Sequence, residues 1–153
     1  MICVIRLNAS VPSVLLDIVP KELTADEQRQ GLTLGDAKVR NRLAQSGLDV
    51  ALKSRTAAFF VPEAARLIAV GNFDDHLDWI KDCDWIIEAV TENLEIKRAL
   101  LRKVEPLRAA GAIVSSNTSG IALASIAEGF SEDFRRHWLW TPLAVCLLIA
   151  GLA

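Results

Sequence analysis

The sequence predicts an α/β fold, a doubly wound parallel sheet. Two observations carry this. Four short apolar runs show little alternation: Ser13–Val19, Arg66–Val70, Trp85–Ile87 and Ala112–Ser116. Such runs suit parallel strands covered on both faces. Helical periodicity fills the gaps between them, and strand, helix and strand over residues 84–116 make a βαβ unit.

Taken in order, the first strand, SVLLDIV, stops at Pro20. Residues 21–60 are mixed polar and apolar and mostly helical, with a break near Gly31 to Gly35. The second run stops at Gly71. After the third, Glu92 to Arg108 sets Leu94, Leu101, Val104 and Leu107 near one helical face, with Lys97, Arg98, Arg102 and Lys103 on the other. Thr91 or Asn93 can cap the start of this helix, and Gly111 lies just past its end. The fourth run leads into SSNTSG, residues 115–120, where Thr118 or Ser119 can cap the next helix.

At 153 residues, with 52% hydrophobic and 24% charged, the chain is a single domain able to build a core. A net charge of -2 with scattered basic residues argues against a nucleic-acid surface. Cys3, Cys83 and Cys146 are isolated and odd in number, which fits neither a disulfide framework nor a zinc site and points to a reducing, cytoplasmic setting. Arg6 interrupts the first apolar stretch and argues against a signal peptide. Residues 138–153 carry no charge but fall short of the roughly 18–20 residues that a spanning helix needs. A membrane anchor is therefore disfavoured.

Ligands of open parallel sheets bind outside the carboxyl ends of the strands. Asp17 stands at the first such end, where an acid can accept hydrogen bonds from both hydroxyls of an adenosine ribose and disfavour a 2′-phosphate. It also reads as an ordinary strand-ending Asp. Glu88, Glu92 and Lys97 follow the third strand, and helix-dipole stabilisation is a sufficient account of Glu92 and Glu95. The hydroxyls and Asn117 of SSNTSG follow the fourth strand and suit either a ribose and a substrate oxygen or a turn.

Three stretches, VLLDIVPKEL, CDWIIEAVTENLEIKRALL and IVSSNTSGIALASIAE, resemble the NAD-binding domain of 3-hydroxyacyl-CoA dehydrogenases, from about Ser13 to Leu139. That resemblance implies a Rossmann-like sheet that uses NAD to oxidise the 3-hydroxyl of an acyl-CoA in fatty acid β-oxidation. It implies an acyl-CoA substrate as small-molecule partner and, for intact members, homodimers. By the likeness Asp17 holds the adenosine ribose, Ala89 and Glu92 line the dinucleotide near the nicotinamide ribose, and Lys97 lies close by. Ser119 reaches both cofactor and substrate hydroxyl, Asn117 shapes its loop, and the 21–60 segment projects toward CoA, with Lys53 as a candidate ligand.

The departures are as informative. The family has a G-x-G-x-x-G loop before its ribose acid, whereas this chain has no glycine before Gly31. The sheet is therefore expected to be incomplete at its N-terminal strand and Gly-rich loop. The family's general-base His belongs about where Pro142 stands, and His137 lies upstream of that place. The expectation is an NAD-binding domain over residues 1–139 with altered ends, followed by an apolar tail over 140–153, and inactive as it stands. Shifted reading frames would produce such ends. The alternative is a non-catalytic remnant or interaction module, tethered or docked through the tail.

Overall fold

The computed structural model describes residues 2–5, 12–53 and 62–141. Its strands are β1 (Ile2–Ile5), β2 (Ser13–Asp17), β3 (Ile68–Asn72), β4 (Trp85–Glu88), β5 (Ile113–Ser116) and β6 (Trp138–Trp140). They form one sheet in the order β3-β2-β1-β4-β5-β6, the order of a doubly wound dinucleotide-binding sheet. The α/β expectation holds.

Two features of that expectation need correction. β2 with β3, and β4 with β5 and β6, pair in parallel. The central β1 is antiparallel to both of its neighbours. The place expected to be incomplete thus holds a strand, and the sheet is mixed. Chain length explains the direction. Only residues 6–12, seven in number, separate β1 from β2, and a parallel crossover needs a dozen or more. The register sets Ile2 level with Leu16 and with Glu88, at the edge where the parallel strands end.

Helices cover both faces. α1 (Ala25–Arg29), α2 (Ala37–Arg40) and α3 (Arg42–Lys53) come from the predicted helical segment, whose residues 54–60 lie outside the described ones. Thr24 and Glu27 close a reciprocal capping box at the start of α1. α3 does more than project: its Ala44 and Leu48 pack on Leu15, so this segment forms one layer of the fold. Neighbouring strand residues face opposite ways, so Leu16 points into the other layer. There it meets Ile86, Leu101, Val114, Ile126 and Phe134, drawn from the sheet, from α4 (Leu94–Val104), α5 (Leu123–Ala127) and α6 (Glu132–Arg136). Full burial of each such side chain contributes about 1.5–3 kcal/mol.

Element ends differ locally from the sequence expectation. β2 stops at Asp17, whose carboxylate turns back to accept the Ile18 amide at 2.8 Å, leaving Ile18 exposed. β3 begins after a 3₁₀ turn (Pro62–Leu67) and runs through Gly71 rather than ending there. A Cβ at Gly71 would lie 2.9 Å from His76 and from Leu16, so the glycine lets the strand pass beneath that ring.

Of the two candidate caps for α4, Asn93 is the one used, accepting the Ile96 amide at 3.1 Å. α5 takes Ala122 at its N-cap with no side-chain bond, while Thr118 Oγ1 accepts the Ile121 amide in the turn before it. The start of the uncharged stretch 138–153, Trp138–Trp140, is an edge strand paired to β5; of the apolar tail proper, residues 142–153 lie outside the described ones. Among the described residues no helix is long and apolar enough to cross a membrane.

The largest departure is Lys97. It was expected on the polar face of its helix and is 1% exposed. Its position follows Leu94 by three and precedes Leu101 by four, so it lies on the apolar stripe. Burial there is tolerable only with a counter-charge, which Glu88 supplies.

Candidate nucleotide-binding site

Asp17, at the carboxyl end of β2, and Ala89, just past β4, line one cleft of about 650 Å³. This is the size range of small-ligand sites. Ile18, Phe73, Ile96 and Leu100 give it apolar walls, while Asp74 and Lys103 add charge. The cleft opens at the carboxyl ends of the strands on either side of β1, where the strand order reverses.

Beside the cleft lies a polar lip that ties two loops together. Glu92 Oε1 accepts from the Thr118 hydroxyl at 2.5 Å, the Ser119 amide at 3.1 Å and the Gly120 amide at 2.8 Å. Those bonds, the Thr118 hydroxyl foremost, and the Lys97 ammonium hold the Glu92 carboxyl down at about 2. Thr118 Oγ1 also accepts the Ile121 amide, which fixes the turn. The Thr118 carbonyl accepts from the Trp140 indole at 2.7 Å, so β6 braces the same loop.

Beneath the lip the Glu88 carboxylate is fully buried and saturated. It accepts from Lys97 Nζ at 2.8 and 3.0 Å, from the Ser116 hydroxyl at 2.5 Å and from the Val90 amide at 2.6 Å. Lys97 sends a further bond to the Val90 carbonyl at 3.2 Å and lies 3.7 Å from Glu92 Oε2.

The predicted site residues therefore fall into three places. Asp17 and Ala89 meet in the cleft, and Glu92 and Ser119 meet in the lip. Lys97 is packed under the lip, its ammonium spent on protein oxygens. The Asn117 amide donates to the Glu88 carbonyl at 2.9 Å, joining the loop to β4. Lys53 is the exposed last residue of α3. His137 ends α6, with Nδ1 2.9 Å from the Asp133 carbonyl, and Pro142 lies outside the described residues.

Sequence reasoning missed the roles of Glu88, Ser116 and Thr118, and the cleft positions of Phe73, Asp74 and Lys103. One signal was available for the first: a lysine on an apolar helical stripe demands a buried acid nearby.

Residues 22–148 match the family described as "3-hydroxyacyl-CoA dehydrogenase, NAD binding domain". The chain belongs to that family. It is 43% identical over 134 residues to the "Probable 3-hydroxyacyl-CoA dehydrogenase" of Bacillus subtilis (strain 168), covering 88% of this chain and 17% of that protein. It is 45% identical over 132 residues to the protein of the same description in Deinococcus radiodurans, covering 86% of this chain and 34% of that one. The chain thus spans about a third or less of the length of these relatives.

Among solved structures, one titled "Substrate-directed dual catalysis of dicarbonyl compounds by diketoreductase" aligns with a TM-score of 0.50 at 24% identity, over 66% of this chain and 36% of that one; the likeness is one of fold.

NAD is the cofactor of this domain family. The residues present fit it unevenly. An apolar cleft ending in Asp17 suits an adenosine, and the Glu92-braced loop suits a ribose. Between them, where the family's glycine loop would meet the pyrophosphate, the antiparallel β1 brings Ile2 level with Leu16 and Glu88. That central strip does not offer a glycine-lined backbone approach.

Proposed function

We propose that this chain is the NAD-holding part of a 3-hydroxyacyl-CoA dehydrogenase acting on acyl-CoA in fatty acid β-oxidation in the cytoplasm, and that it is inactive as it stands. The observation that carries this reading is the cleft at the strand-order reversal, with Asp17 inside it and the Ser119 loop braced beside it. Asp17 accepts the adenosine ribose hydroxyls, and Asp74 adds a second negative charge that disfavours a 2′-phosphate. Glu92 holds the Thr118–Gly120 turn so that the exposed Ser119 hydroxyl can orient a substrate oxygen. The chemistry NAD supplies in this family is acceptance of a hydride from the 3-hydroxyl carbon. The general base for the accompanying proton is the missing part. By the family likeness Pro142 stands about where that base belongs, and His137 is turned toward its own helix. The homodimer of intact members is proposed to need segments beyond the ones described.

A second reading, a non-catalytic binding module, is favoured by the antiparallel β1 at the expected pyrophosphate strip. Calorimetric titration with NAD separates the two. Saturable binding that disappears in Asp17→Ala supports the dehydrogenase-domain reading. The absence of heat at millimolar NAD leaves the module.

A further inference from the structure

Glu88 has more bonds than an ion pair requires, and their targets are informative. Its side chain holds Lys97 on α4, Ser116 at the end of β5 and the Val90 amide in the loop after β4. Its backbone carbonyl holds the Asn117 amide. Every segment that forms the lip is therefore tied to this one residue, either directly or through Lys97 to Glu92. A buried carboxylate could be satisfied by any donors; these donors join α4 to the two loops that carry Glu92 and Ser119.

We infer that Glu88 is the positioning residue of the site: together with Lys97 it sets the Val90–Glu92 loop against the Thr118–Gly120 turn before any ligand arrives. Lys97 then acts through Glu92 rather than by touching the cofactor, since its side chain is 1% exposed and its ammonium already holds the Glu88 carboxylate and the Val90 carbonyl. The consequence for binding rests on the proposed NAD reading, whereas the pre-set lip does not.

The test uses the full 153-residue chain and amide hydrogen exchange without ligand. In Glu88→Gln the Ser119 and Gly120 amides are expected to exchange about tenfold faster, the effect of one weakened charge-assisted bond. Ile86 and Val114, in the sheet core, should keep their protection. Because a lone buried Lys97 charge could prevent folding, the double variant Glu88→Gln with Lys97→Met removes both charges and keeps an acceptor for Ser116. It is expected to show the same selective loosening with an intact core.

Unchanged protection of Ser119 and Gly120 in the folded double variant would overturn the assignment, as would a uniform loss throughout the sheet. NAD titration of the same proteins is the second readout. If the parent chain binds, the double variant should bind about tenfold more weakly at an unshifted melting temperature. An equal affinity with loosened amides would overturn the link to the cofactor. If the parent chain shows no NAD heat, the cofactor reading fails while the exchange result still decides the role of Glu88.

Discussion

The two halves of the sheet are held together by different means at their ligand-facing ends. On the β4–β5 side the ties are buried: a saturated carboxylate, a lysine drawn into the core and a serine hydroxyl. On the β2–β3 side the ties are nearer the surface. Arg40 donates two hydrogen bonds to the Asp75 carboxylate at 2.6 and 2.7 Å, and buried Asn72 donates to Asp75 and Asn41. The difference teaches where rigidity is placed. The side bearing the proposed nicotinamide and substrate contacts is fixed from within, and the side bearing the proposed adenosine contact is clasped to its helical layer from outside.

The comparison can be broken most severely at Lys97. Lys97→Ala leaves Glu88 buried without its partner and is expected to cost about 3–5 kcal/mol, measured by urea denaturation. Leu16→Ala, a cavity in the layer shared by both halves, should cost about 2–5 kcal/mol. Leu48→Ala should cost less, because its smaller cluster lies at the margin of the fold. Gly71→Ala forces a methyl against His76 and Leu16 and is expected to cost about 1–3 kcal/mol, and thermal melting will read it. Asn93→Ala removes the cap of α4 for about 1 kcal/mol.

The gentlest probe is pH. Glu92, held low chiefly by Thr118, and Asp75, held low chiefly by Arg40, both titrate in the folded chain at about 2. A depressed carboxyl contributes stability above its unfolded value that is lost as pH falls through the folded one. Both ties should therefore weaken between about pH 4.5 and pH 2. Arg40→Ala should remove the Asp75 part of that loss and leave the Glu92 part, as two-probe acid titration would show.

The fold class was legible because covered parallel strands and amphipathic helices write separate periods into the chain. The candidate site was legible in part: Asp17, Glu92 and Ser119 stand at or just past strand ends, where the topology rule sends attention. Lys97 was assigned to the wrong face because a charge-based reading of its helix overrode position along the stripe. The direction of β1 and the strand at Trp138–Trp140 were missed for a different reason. Short strands take their place from partners distant in sequence, and residues 2–5 carry no local mark of direction.

By itself the sequence determined the alternation of strands and helices, the family likeness and the residue types waiting at the strand ends. Local periodicity and fixed spacing suffice for these. Tertiary structure alone decided that Lys97 is buried, that Glu88 joins two loops, and that β1 runs against its neighbours. Each depends on a partner far along the chain, and an ion pair in the core or a ladder across the sheet exists only once the chain has closed.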